Sequence, residues 1–121
     1  MLFRSSIRKG QREMIEIIYN RKKHSVLVKG HAGSAEHGHD LVCSAVSALV
    51  YTLASNVEKL ADDRKHVRRP VIDLNKGNAV ISCDPVHGFT AVTTLVFDTV
   101  CEGFSLLAQQ YGAFISYKVK G

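Results

Sequence analysis

The stretch that decides the fold is residues 29–50, Lys29-Gly-His-Ala-Gly-Ser-Ala-Glu-His-Gly-His-Asp-Leu-Val-Cys-Ser-Ala-Val-Ser-Ala-Leu-Val50. It begins at the end of an apolar strand, continues through a loop with three glycines and three histidines, and enters a run of small and apolar residues. Asp40 stands immediately before that run and is a good helix N-cap. The pattern therefore predicts a strand, a loop and a helix, in that order.

Cys43 has the sequence surroundings of a reactive thiol. With Asp40 as N-cap, Cys43 lies in the first helical turn, where unpaired N–H groups and the helix dipole favour a thiolate. His31 precedes it by 12 residues, at the mouth of the loop. A helix start together with an imidazolium lowers a thiol pKa from about 8.5 to roughly 3.5–7.5. We therefore predict Cys43 as nucleophile, His31 as general base and acid, and the backbone N–H groups of residues 42–44 as oxyanion donors.

A longer motif surrounds these two residues. It consists of Gly30-His31-Ala32-Gly33, then Gly38, then Asp40, Cys43 and Ala45-Val46-Ser47-Ala48-Leu49. This motif resembles the signature of the ribosomal-processing cysteine proteases, the Prp family, and Ser44 stands where that family commonly has alanine. The resemblance implies a homodimeric, sequence-specific endopeptidase that removes the N-terminal extension of a bacterial large-subunit ribosomal protein. Its chemistry would pass through a thioester acyl-enzyme without metal or cofactor.

Several motif residues keep two interpretations. Asp40 is either the helix cap alone or also a third catalytic member that orients His31, and one carboxylate cannot make both bonds at once. Ser47 lies one helical turn from Cys43 and either packs or contacts the substrate. We expect Gly30, Gly33 and Gly38 to form a mobile loop that closes over bound peptide.

Two other kinds of site fit the motif poorly. His37 and His39 together with Cys43 have the ligand types of a zinc site, but not the spacing of a finger or ribbon. The glycines before a helix are typical of a phosphate site, but the Gly-Lys-Ser/Thr ending is absent, and an acid at the cap would repel phosphate. We therefore predict neither metal nor bound phosphate here.

Composition narrows the class of protein. The 121 residues carry a net charge of +5, of which residues 1–13 contribute four basic residues against Glu13. The remainder is only mildly basic, so we expect no direct contact with nucleic acid. Three cysteines without CxxC spacing indicate a reducing compartment, and we expect a cytoplasmic protein. Apolar runs of about 18–20 residues without polar interruption are absent, so the sequence predicts no membrane span.

The chain divides into an extension and one domain. We expect residues 1–13 to be disordered or non-native, and residues 14–121 to form the protease domain. The residue patterns predict strands at 14–19, 25–29, 71–74, 79–83 and 114–119, with helices at 41–60 and 90–111. The order ββαββαβ predicts an α+β two-layer domain, with a mainly antiparallel sheet and two helices on one face.

Helical spacing also predicts which side chains are buried. On the first helix the apolar face is Val42, Ala45, Val46, Leu49, Leu53, Val57 and Leu60. A neighbouring stripe of mostly small residues, Cys43, Ser47, Val50 and Ala54, would let a substrate or partner subunit approach closely. On the second helix the predicted apolar face is Val92, Leu95, Val96, Val100, Phe104, Leu107 and Tyr111.

Two alternative functions remain open from the sequence. The first is a non-catalytic ribosome- or RNA-associated binding module that uses Arg64, Lys65, Arg68 and Arg69. The second is a thiol redox sensor, which needs a resolving cysteine near Cys43. The segment that holds the four basic residues also contains Asp62 and Asp63, so we predict it to be a solvated connection rather than a basic patch.

Overall fold

The computed structural model describes residues 14–30, 39–62, 65–75 and 77–121, with the backbone alone for residues 39 and 40. Its elements are β1 (Ile15–Asn20), β2 (Ser25–Gly30), α1 (His39–Ala61), β3 (Val67–Asn75), β4 (Asn78–Pro85), α2 (Thr90–Gln110) and β5 (Ile115–Lys120). This confirms the predicted order ββαββαβ. Residues 1–13 and the loop residues 31–38 lie outside the described part of the chain.

The five strands form one sheet in the order β3-β4-β2-β1-β5. Three pairings are antiparallel, and β5 joins β1 in parallel. Alternate strand residues such as Ile17, Val28 and Ile81 are buried, and both helices pack on that face and against each other. The other face, which we call the open face, carries polar residues and half-buried apolar ones. The domain is therefore the predicted α+β two-layer fold.

Strand β3 is longer than predicted. Val67–Pro70 was expected to be part of a solvated connection, but it begins the strand and pairs with the end of β4. The ladder shifts register between Arg68 and Val71, and Arg69 has a φ of 51°. An edge strand tolerates proline, and a bulge relaxes the pairing that Pro70 cannot complete. Because of the charges of Arg68 and Arg69 and the presence of Pro70, the sequence pattern did not predict this part of β3.

Helix α1 begins at His39, two residues before the predicted start. This start includes Asp40 in the first turn. Helix ends are defined to within one or two residues, so the role of Asp40 as N-cap stays a prediction. An acidic residue is favourable both at the cap and within the first turn, so the sequence signal does not separate the two positions.

The small stripe of α1 is not an open surface. Cys43, Ser47, Val50 and Ala54 are all buried, so the prediction that they admit a partner is wrong. The close approach occurs between the helices instead, where a Cβ on Gly103 would lie 2.9 Å from both terminal carbons of Leu49. A glycine in the middle of α2 therefore sets how near α1 can come.

Helix α2 is rotated relative to the prediction. Its buried residues are Thr93, Phe97, Val100, Cys101 and Phe104. Val92 and Leu95, predicted to be buried, are 42% and 64% exposed. The helix carries apolar residues on more than one face, so periodicity alone does not select the face that packs.

Both helices reach membrane-spanning length and hydropathy. Leu41–Ala61 and Thr90–Gln110 each have a mean hydropathy of 1.4. The core helices of soluble proteins meet the same criterion, so length and composition are weak evidence here. The absence of a membrane span stays a prediction.

Candidate functional site

Gly30 ends β2 at the point where the chain enters the loop. Its φ is +108°, and a Cβ at this position would collide with the carbonyl oxygen of Met14. Its N–H donates to the carbonyl of Gly77 at 3.0 Å. These contacts give Gly30 a structural reason to be glycine, in addition to its predicted place in the substrate loop.

Cys43 lies at the same end of the sheet as Gly30. Helix α1 ends beside the first residues of β3, where Glu58, Ala61 and Val67 line one cavity, and β2 begins at that end of the sheet. The start of α1 therefore lies at the other end, where β2 finishes. The structure thus brings two members of the motif to one end of the domain.

The helix start gives Cys43 less electrostatic help than predicted. Cys43 is the fifth residue of α1, and the field of the helix dipole falls off within the first turn. The N–H groups of residues 39–41 have no partner within the helix. Those of Cys43 and Ser44 are further along the helix and donate to carbonyls of the preceding turn. The prediction of residues 42–44 as oxyanion donors therefore shifts to the first turn.

Cys43 and Ser47 are both part of the core. Cys43 is 0% exposed and Ser47 is 3% exposed. Burial favours the packing interpretation of Ser47 over direct contact with substrate. A peptide carbonyl can meet the sulfur of Cys43 only after the residues around it shift.

The other two cysteines are held as neutral thiols. Burial raises the pKa of Cys83 to about 11 and that of Cys101 to about 12. Cys83 lies in β4 and Cys101 lies in α2 near Tyr117, away from any helix start. A thiol with a raised pKa is a poor nucleophile at neutral pH.

Three predicted site residues, His31, Gly33 and Gly38, lie outside the described part of the chain, and so does His37, for which no role was predicted. The structure therefore does not test the contact between His31 and Cys43 or the orienting role of Asp40. Among the described residues, no group of three histidine, cysteine or acidic side chains is arranged to hold a metal ion.

A polar cluster at the opposite end of the sheet was not anticipated. Asp98 of α2 accepts a hydrogen bond from the hydroxyl of Tyr19 at 2.8 Å and pairs with Arg21 at 3.0 Å. The hydrogen bond from Arg21 is the main reason that the pKa of Asp98 is lowered. Nearly 80 residues separate Asp98 from these partners in the chain, so no local pattern could have joined them.

His24 lies beside this cluster and is 5% exposed. Its Nε2 is 2.7 Å from the hydroxyl of Thr94, and its ring meets the edge of Phe97. Burial lowers the pKa of His24. The position is at the far end of the sheet from Cys43, so His24 is a structural histidine.

An open cavity of about 980 Å³ lies between the end of α1 and β3. Arg68 and Arg69 line it, together with the acidic Glu58 and Asp62. Fifteen helical residues separate Glu58 from Cys43, about 22 Å along the axis. This cavity is therefore separate from the candidate catalytic end.

Comparison with known proteins covers almost the whole domain. The family model described as cysteine protease Prp matches residues 14–116. The crystal structure of SMU.848 from Streptococcus mutans is 29% identical, with a TM-score of 0.63, over 93% of this chain and 97% of that chain. No curated protein sequence matches this chain significantly.

Two structures of the Staphylococcus aureus protein described as an essential ribosomal processing protease Prp are also similar. The complex with a covalently linked product peptide is 25% identical, with a TM-score of 0.64, over 89% of this chain and 99% of that chain. The complex with a substrate peptide is 23% identical, with a TM-score of 0.65 and the same coverage, and supports the fold alone. With the family model matched over residues 14–116, this chain belongs to the cysteine protease Prp family.

Proposed function

We propose that this chain is a cytoplasmic endopeptidase that removes the N-terminal extension of a bacterial large-subunit ribosomal protein. The observation that carries the proposal is the family match, which spans both Cys43 and His31. The ribosomal substrate is supported by the similar Staphylococcus aureus protein, which is described as a ribosomal processing protease.

Cys43 is the proposed nucleophile among the three cysteines. It lies near the start of α1, whereas the raised pKa values of Cys83 and Cys101 keep those thiols protonated. His31 takes the proton of the Cys43 thiol, and the thiolate attacks the peptide carbonyl carbon. His31 then gives the proton to the leaving amine, and water hydrolyses the thioester.

The oxyanion that forms during attack needs hydrogen-bond donors. The backbone N–H groups of residues 39–41 have no helical partner and are the donors nearest to Cys43 in the chain. Asp40 belongs to this first turn, and its further role as a residue that orients His31 remains part of the proposal. Gly30, Gly33 and Gly38 supply the backbone of the peptide-binding loop.

The test uses the chain's own cysteines as matched controls. A peptide with the N-terminal extension of the ribosomal protein is incubated with the parent and with Cys43→Ala, His31→Ala, Cys83→Ala and Cys101→Ala. We expect Cys43→Ala and His31→Ala to lower kcat/KM by at least about 10³-fold. The two other alanine variants should retain cleavage, provided that their circular dichroism matches the parent. Full activity of Cys43→Ala would contradict the assignment.

The alternative of an RNA-binding module through residues 64–69 has less support. Arg69 pairs with Asp84 at 3.7 Å, and Arg68 shares its cavity with Glu58 and Asp62. Carboxylates next to these cations weaken attraction for phosphate. A redox sensor also has less support, because the two cysteines that could resolve an oxidised Cys43 are Cys83 and Cys101, and burial keeps both as neutral thiols with raised pKa values.

A homodimer is part of the same proposal. Helix α2 exposes Val92, Leu95 and Leu106, which lie along one line of the helix and offer an apolar surface for a second copy. We expect the parent to have the mass of a dimer in light scattering and Leu95→Lys to shift it toward monomer. Ser55→Lys, at an exposed position of α1 away from this line, is the control for one added charge, and an unchanged mass for Leu95→Lys would exclude this surface.

A further inference from the structure

Four lysines from distant segments meet at the end of the sheet opposite Cys43. Lys22 and Lys23 are in the turn between β1 and β2, and Lys118 and Lys120 are near the end of β5. Parallel pairing sets Lys118 beside Ile18, and the N–H of Arg21 donates to the carbonyl of Lys120 at 2.8 Å. We call the four lysines the lysine surface.

The four lysines have no acidic side chain as an ion-pair partner among the described residues. All four side chains are exposed. The neighbouring cation Arg21 has an acidic partner, Asp98, at 3.0 Å, and Lys29, at the other end of the open face, pairs with Glu16 at 3.9 Å. Four positive charges therefore stand together on the open face and its adjoining turn.

The chemistry of this surface fits phosphate groups. Lysine contacts phosphate as a point charge, and a contact with phosphate carries no sequence information. Among the described residues that face outward from the strands on the open face, none is aromatic, so base stacking has no platform. A lipid surface would need apolar side chains that project together with the lysines. Val119 is 54% exposed, but it is in register with Tyr19 and lies on the helix side of the sheet, while Ile18 and Leu27 of the open face are half-buried.

We propose that the lysine surface binds the phosphate backbone of RNA without reading its sequence. The choice of RNA over other polyanions rests on the proposed function, because a ribosomal protein is met beside ribosomal RNA. Cys43 lies at the other end of the sheet, so RNA and a peptide can be bound at the same time. This proposal departs from the expectation of no nucleic-acid contact, because that expectation used the net charge of residues 14–121 and not the position of each charge.

The test measures RNA affinity against salt concentration. Fluorescence anisotropy follows binding of the full chain to a short labelled single-stranded RNA between about 50 and 200 mM salt. The lysine-surface variant carries Lys22→Gln, Lys23→Gln, Lys118→Gln and Lys120→Gln. Each phosphate contact contributes about 0.7 to the slope of log K against log salt, so four lost contacts should reduce the slope by about 3.

A second variant removes equal charge elsewhere. Lys59→Gln, Lys65→Gln, Arg68→Gln and Arg69→Gln change the net charge by the same amount at the α1–β3 side, and should reduce the slope by less than about 1. Both variants keep the basic residues of 1–13, so any contribution from that segment cancels. Equal slopes in the two variants, or no RNA binding by the parent at low salt, would overturn the proposal. Binding of the parent to anionic phospholipid vesicles in preference to RNA would also overturn it.

Peptide cleavage by the same variants separates this proposal from the protease assignment. The lysine-surface variant should cleave the free peptide at the parent's rate, because its substitutions lie far from Cys43. If the parent binds RNA through these lysines but cleaves no peptide, the protease assignment is contradicted and the lysine surface is not. If the lysine-surface variant cleaves the peptide normally and binds RNA as tightly as the parent, the proposal for the lysine surface is contradicted and the protease assignment is not.

Discussion

At the scale of single residues, Gly30 shows how a backbone requirement can coincide with a functional motif. The sequence placed it in a peptide-binding loop, while the structure shows a φ of +108° and no room for a Cβ beside Met14. Gly88 has a similar φ of +90°, but a Cβ added there would meet no atom within 4 Å. A side chain at Gly88 would add backbone strain alone, whereas one at Gly30 would add both strain and a steric clash.

We expect Gly30→Ala to lower the free energy of unfolding by about 2–4 kcal/mol, through strain and overpacking together. Gly88→Ala should cost only about 1–2 kcal/mol, because it adds strain without a clash. Urea denaturation of both variants measures the difference. Equal losses would mean that the contact with Met14 relaxes at no cost.

His24 makes stability depend on pH. Burial favours its neutral form, so the pKa of His24 in the folded state is below the ordinary value of 6.5. Nearby Asp98 and Asp84 act against this shift, and Arg21 adds to it. Between the folded pKa and 6.5 the unfolded chain binds more protons, so the free energy of unfolding rises with pH in this window.

We expect the parent to lose stability as the pH falls below about 6.5, and His24→Asn to lose less over the same range. Asparagine tolerates the positive φ of 49° at this position. His87→Asn, at an exposed histidine, is the control and should follow the parent. Thermal melts at a series of pH values measure the slope, and parallel slopes for the parent and His24→Asn would contradict the assignment. Asp98 acts in a separate window, below its ordinary pKa of 3.8.

At the scale of elements, the contact between α1 and α2 depends on the absence of a side chain. Gly103 costs α2 some helix propensity, yet it lets Leu49 lie against the backbone of α2. The buried face of α2 is centred on Phe97 and Phe104, two large aromatic residues that fill the space over the sheet. Several faces of α2 are apolar, and the face with the largest side chains is the one that packs on the sheet.

Gly103→Leu should lower the free energy of unfolding by about 1–3 kcal/mol, because the added side chain overpacks the helix contact. Leu49→Ala in the same chain should recover part of that loss by making room. Glu102→Leu, at the exposed neighbouring position, controls for the change in helix propensity. Additive effects of Gly103→Leu and Leu49→Ala in denaturant titrations would show that the two residues do not share this space.

At the scale of the whole molecule, the sheet has two ends with different chemistry. One end carries Gly30 and Cys43, and the other carries the cluster of Asp98 with Arg21 and the exposed lysines. The family match begins at residue 14, which is also where β1 is about to start. The elements in the described part of the chain run from Ile15 to Lys120.

We expect a chain that begins at Met14 to fold with a melting temperature within a few degrees of the full chain. The deletion removes a net charge of +3 from a total of +5, so binding to a cation-exchange column should weaken. Circular dichroism and the peptide assay measure folding and activity. Loss of the folded state would show that residues 1–13 belong to the domain.

Sequence by itself determined the order of elements, the α+β class and the family motif around Cys43. Strand alternation, helical spacing and turn residues are local signals, and local signals specify elements. These local signals were less reliable at the ends of the elements. The proline and charges at the start of β3, and the acidic residue at the start of α1, each fit more than one assignment.

Tertiary structure alone decided which faces are buried and which distant groups meet. The rotation of α2, the burial of Cys43 and the pairing of Asp98 with Tyr19 depend on how the layers pack. The lysine surface exists because β5 pairs in parallel with β1, which brings the end of the chain to the first turn. Long-range pairing of this kind leaves no periodic trace in the sequence, because each partner satisfies only its own local pattern.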